Sequence, residues 1–141
     1  MKSIALSVLA LAFGIFSCVS VDDTAEIFKI SFDKNDAAAT GTMMQQEVTS
    51  GTTATLLKCT FAKTGWRFAG WAASADGAVA YADQAAYKMG TGNVTLFAKW
   101  TINTNQVAFD KNDAAAMGSM SPQSIDYGAT AALTANDFDK T

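Results

Sequence analysis

Acidic side chains set close to asparagine, tryptophans spread along alternating segments, and two cysteines are the residues of this sequence that could carry chemistry. Asp33, Asn35 and Asp36 form one acidic cluster, and Asp110, Asn112 and Asp113 repeat it. Such spacing opens a calcium loop, but that loop also needs a glycine at its sixth place and an acid at its twelfth. Ala38 and Met44 stand there. Turn formation between strands, which suits Asn and Asp, accounts for the cluster better. Trp66, Trp71 and Trp100 could stack on sugar rings or fill a core. Trp66 and Trp100 fall on the apolar faces of predicted strands and are expected in the core. Trp71 falls on the opposite phase from Trp66 and Phe68. With Tyr87 it is the candidate ligand contact.

The missing residues exclude more than the present ones offer. The chain has no histidine. That removes the commonest general base, every Ser–His or Cys–His pair, and the usual zinc ligand set. No glycine-rich phosphate loop is written. Asp22 and Asp23 lie in a linker. The expectation is therefore not an enzyme, with no catalytic residue, no metal and no cofactor. Ten Lys+Arg against 13 Asp+Glu give a formal net charge of -3. An acidic chain without basic runs is a poor partner for nucleic acid, whose phosphates need clustered cations. Half the residues are hydrophobic and 16% are charged, so at least one packed core is expected.

Cys18 closes the N-terminal run MKSIALSVLALAFGIFSCVSV. Lys2 is its only charge, and Ile4 to Phe16 is almost wholly apolar. A membrane-spanning helix needs roughly 20 such residues, whereas a signal peptide needs roughly 7–15 after a basic start. Residues 1–17 read as a signal peptide and 18–25 as a linker. Ser17-Cys18 is similar to a bacterial lipobox, in which the cysteine carries lipid, although Ile15 and Phe16 depart from its usual residues. Ordinary cleavage after Ser20 competes with it. Either route places the mature chain outside the cytoplasm. Lipid at Cys18 would make the membrane a partner and leave Cys59 without an intrachain disulfide. Cys59, in TLLKCTF, is expected as a small hydrophobe in the core.

The elements that must position these residues come in two copies. Ile30–Thr64 aligns without a gap on Val107–Thr141, with about half the positions identical. Ungapped self-similarity of this length marks a duplicated structural unit. In the first copy, EIFKISFD alternates with Phe28, Ile30 and Phe32 on one face. KNDAAATG is a turn, and EVTSGTTATL makes two short strand pieces around Gly51. GWRFAGW and NVTLFAKW are strands, the second with Val94, Leu96, Ala98 and Trp100 on one face. ASADG turns at Asp76-Gly77. Ala82 to Met89 predicts two helical turns. The second copy holds no counterpart of GWRFAGW or NVTLFAKW, as a truncated gene or a decay product would leave it. A segment of that size seldom buries enough apolar area to fold alone, so 26–102 is the complete module and 103–141 an incomplete one.

FDKNDAAATGTM, TFAKTGWRFAGWAASADG, YADQAAYKM and NVTLFAKW follow one another in the order of the Listeria–Bacteroides repeat, also called the internalin B-type B repeat, which the chain resembles over Ile27 to Thr101. Trp66 and Phe97 stand where that family usually has tyrosine. The resemblance implies an α+β, strand-dominated, β-grasp-like module with at most one short helix, on a bacterial surface protein, and brings no catalytic residues. Two functions follow from it and the residues. One is a structural or adhesive surface repeat of a lipoprotein. The other is a module binding a defined glycan or a host or cell-surface protein.

Overall fold

Alternation fixes the central strands. A computed structural model describes residues 25–140, so the signal peptide, Cys18 and nearly all of the linker lie outside the described residues. β1 (Ile27–Asp33) and β6 (Val94–Ile102) pair in parallel, Ile30 opposite Val94 and Asp33 opposite Phe97. β2 (Gln46–Thr49) pairs antiparallel with β1, and β4 (Trp66–Ala72) antiparallel with β6. The sheet order is β2-β1-β6-β4. Phe28, Ile30 and Phe32 line the inner face of β1, as their period of two demands. Val94, Leu96, Ala98 and Trp100 line that of β6. Ile30, Leu96 and Ala98 are fully buried, and the others pack partly buried against them.

A small ribbon lies beside this sheet. β3 (Thr53–Thr55) pairs antiparallel with β5 (Ala86–Lys88). Leu56 follows β3 and Met89 follows β5, and both are buried in the core with Ile30, Val48, Trp71, Leu96 and Ala98. The two strand pieces around Gly51 therefore exist, but each pairs with a different sheet.

The helix expected over Ala82 to Met89 does not form, and no helix occurs among the described residues. The strand-dominated expectation stands; its α+β label is corrected. The cause is local. Ala85 donates its N–H to Ala82 O in a turn, and Gln84 has φ 57°, which no α-helix tolerates. The chain emerges extended, and Ala86–Lys88 finds strand β3, a partner far away in sequence. The helix of the β-grasp-like expectation is thus replaced by the β3–β5 ribbon.

β7 (Thr104–Val107) and β8 (Gln123–Asp126) form a second hairpin. Its register copies the first: Thr104 pairs with Asp126 as Ile27 pairs with Thr49, and Val107 with Gln123 as Ile30 with Gln46. The bridge between Met117 and Asp139 repeats that between Thr40 and Ala62. What differs is burial. Leu56 is 1% exposed, but its counterpart Leu133 is 61% exposed. In the second copy Ala116 alone among the described residues is buried.

Candidate functional site: an aromatic core and a joint between copies

Trp71, expected on an outer face, is fully buried. The reason is a β-bulge. Phe68 lies opposite Trp100 and Trp71 opposite Ala98, so the four residues Phe68–Trp71 of β4 span what the three residues Ala98–Trp100 of β6 span. The extra residue, Ala69, reverses the side-chain phase. Trp71 thereby joins Phe68 on the inner face, with ring centroids 4.7 Å apart, and meets Phe32 at 4.9 Å and Phe61 at 6.1 Å. Gly70 makes the bulge possible. Its φ is +142°, and a Cβ there would fall 2.7 Å from Tyr81 O and 2.5 Å from Val79 Cγ1. That closeness comes from the arm Ala80–Tyr81, whose two N–H groups donate to Trp71 O at 2.8 and 3.1 Å. Trp71 leaves no ring face for a ligand. Its Nε1–H has no hydrogen-bond partner among the described residues.

The other tryptophans sit further out than expected. Trp100 is half-buried against the core and donates Nε1–H to Lys34 O at 2.9 Å. Trp66 is half-buried under Lys63, whose Nζ stands 4.0 Å from the ring centroid. Trp66 opens the edge strand β4, and Trp100 lies on β6 beyond the Val94–Phe97 stretch that pairs with β1. Tyr87 stacks edge-on against Tyr81 with centroids 5.1 Å apart and packs half-buried on the core. Burial raises its phenol pKa, with the Tyr81 phenol adding to the shift.

The acidic clusters are turn devices. Asp33 Oδ1 accepts the Asn35 N–H at 2.6 Å, and Asp36 Oδ1 accepts the Ala38 N–H at 2.8 Å. Asn35, at φ 52°, donates its side-chain amide to Ala75 O and Ala98 O and ties the turn to β6. The other Asp36 oxygen takes Lys63 Nζ at 2.5 Å. Lys63 first, and the Ala38 N–H second, hold the Asp36 carboxyl below its ordinary range. Asp110, Asn112, Asp113 and Lys140 reproduce the two turn bonds and the ion pair. Cys59 packs half-buried against the core, where burial raises its thiol pKa and disfavours the reactive thiolate.

Two shallow grooves of about 290 and 300 Å³ meet at Thr42 and Met43. Phe32, Lys34 and Phe61 border the first, and Met44, Leu57 and Lys58 the second. Trp71 and Tyr87 line neither.

The best-defined contact outside the core is one that sequence reasoning passed over. Asn103 is the single residue between β6 and β7. It donates its N–H to Gly65 O at 2.9 Å and accepts the Tyr127 N–H at 2.8 Å. The Tyr127 ring then lies on Gly65, so close that a Cβ there would fall 2.0 Å from it. In the first copy the same backbone bond runs from Ser50 N–H to Glu26 O. The signal was available: Tyr127 stands where the repeat has Ser50, an aromatic gained where a preceding module lies within reach.

With fold and contacts in view, the class is clear: a strand-built repeat module with a partial second copy. Residues 28–99 match the family model of the Listeria-Bacteroides repeat domain, and the chain belongs to that family. Neither the curated proteins nor the solved structures hold a match to it. The family is one of bacterial surface proteins, which suits a structural repeat module and an extracytoplasmic location.

Proposed function

We propose that this chain is a non-enzymatic structural repeat of a bacterial surface lipoprotein, held to the membrane by lipid at Cys18 and acting as a spacer or adhesive display unit. The observation that carries the reading is the joint at Gly65, Asn103 and Tyr127. A free-standing binding domain has no need of a residue fitted to its neighbour, whereas an array does. The aromatic payload supports the same reading, since Trp71, Phe32, Phe61 and Phe68 are spent on one another. The alternative, a glycan- or protein-binding module, would have to work without the Trp71 ring and with a Tyr87 already engaged by Tyr81.

Anchoring rests on the apolar run ending in Ser17-Cys18. One acyl chain anchors marginally and stable attachment takes two or more, as a mature bacterial lipoprotein carries. Cell fractionation tests it. The wild type should sediment with membranes and Cys18→Ser should move to the soluble fraction. A soluble wild type with an unmodified N-terminus at Val21 would end the lipoprotein reading.

A further inference from the structure

We infer that the groove between Met44 and Lys58 in the first copy receives the second copy of another chain, so that molecules join head to tail. The first observation is the groove. It measures about 300 Å³ and is lined by Thr42, Met43, Met44, Leu57, Lys58 and Thr60. The Thr40–Ala62 bridge and the Thr60 hydroxyl, which donates to Thr42 O at 2.9 Å, hold its walls at one end. Toward Met44 and Leu57 no backbone bond joins the walls among the described residues. Met44 is 82% exposed there and Leu57 39%. Exposed apolar side chains within a polar rim mark a contact surface, and methionine is over-used on such surfaces. Lys58 is exposed at the rim and in no ion pair among the described residues.

The second observation is how the two copies differ. The second copy keeps the hairpin register and the bridge, yet has Ser121, Thr134 and Ala135 in place of Met44, Leu57 and Lys58. The frame therefore does not require those three side chains. The exchange runs the other way at the Met117–Asp139 bridge. Met117, Asp137 and Asp139 stand where the first copy has Thr40, Thr60 and Ala62. Met117 and Asp139 lie directly opposite each other, so their side chains share a face. Met117 is 59% exposed. Both aspartates are exposed and in no ion pair among the described residues. One copy thus offers an apolar groove with a cation, the other an apolar ridge with two acids. The third observation is the overall charge. Residues 26–102 hold seven Lys+Arg against six Asp+Glu, net +1, and residues 103–141 hold two against five, net −3.

Within one chain the groove and the ridge do not meet. Asn103 and Tyr127 seat the second copy on Gly65, and no residue of 104–140 lines the groove. A second chain supplies the occupant. Met117 enters among Met43, Met44 and Leu57, and Asp137 and Asp139 face Lys58. A pair of chains keeps one groove and one ridge free, so association is open-ended, as heterologous contacts that do not close into rings are. This docking uses neither the Cys18 anchor nor the joint at Gly65, so it can fail while the repeat reading stands.

Sedimentation of the chain without its signal peptide and lipid is the test. The average mass should rise with concentration, and less steeply in high salt. The groove variant Met44→Ser, Leu57→Thr, Lys58→Ala writes the second-copy residues into the first copy. The ridge variant Met117→Thr, Asp137→Thr, Asp139→Ala does the reverse. Each set lies on side chains that the same frame already exchanges, so the melts should match wild type. Each variant alone should self-associate at least about 10-fold more weakly. Mixed in equal amounts, the two should form dimers and stop there, because one keeps only its ridge and the other only its groove. A wild type that stays monomeric into the millimolar range would overturn the inference. So would a variant that associates as wild type does, or a mixture that forms no dimers.

Discussion

Trp71 is the residue on which the module turns. A buried tryptophan removes roughly 150–250 Å² from water, worth up to about 4–6 kcal/mol. Trp71→Ala should cost about 3–5 kcal/mol, a large part of the ~5–15 kcal/mol that holds a typical domain. Trp71→Phe should cost clearly less, because it also removes an indole N–H that has no partner among the described residues. Trp100→Ala should fall below Trp71→Ala, since Trp100 is only half-buried. Chemical denaturation of the three variants gives the order; Trp100→Ala as the costliest would place the centre of the core elsewhere. Asp36 adds a pH dependence. Its folded pKa lies below the ordinary 3.8, with Lys63 the leading cause. Its stabilisation is therefore full above about pH 4 and is lost as pH falls through the lower, folded value. Thermal melts should show this acid decline, and Asp36→Asn should flatten it. A wild-type melting temperature constant from pH 5 to pH 2 would contradict the pairing.

At the scale of elements, legibility divides at two places. β1 and β6 could be read from alternation alone, because each buries one face and neither is interrupted. β4 could be read as a strand but not in its phase. Strict alternation places Trp71 outside, and one bulged residue at Ala69 places it inside. Gly70 in GWRFAGW was the available sign, since an isolated glycine in a strand often marks a bulge. The Ala82–Met89 segment misled for a different reason. Its alanines favour a helix locally, yet β3 gives Ala86–Lys88 a partner that no local window contains. The joint makes its own prediction. Tyr127→Ser restores the first-copy residue and should leave the melt of residues 26–102 unchanged. It should still broaden the orientation of the second hairpin against the first sheet, seen as reduced residual dipolar couplings. Gly65→Ala should do the same and add strain at φ +76°. Couplings equal to wild type in both would show that the ring holds nothing.

The whole molecule divides into a local frame and a covered fold. Turn residues and hairpin register are written into each first half, so both copies take them up. The stabilising burial comes from the second half, where Trp71, Leu96 and Ala98 close over Ile30, Val48 and Leu56. The sequence made this division visible as a repeat present once in full and once in part, and the face of Trp71 was the part it misplaced. Native-state amide exchange of the monomer measures the division directly. The slowest exchange is expected in β1, β4 and β6, near the free energy of global unfolding. β7 and β8 should exchange much faster, with Phe109 and Ile125 well below Phe32 and Val48. Equal protection at Phe109 and Phe32, and at Ile125 and Val48, would contradict it, because the first half would then hold its fold without the second.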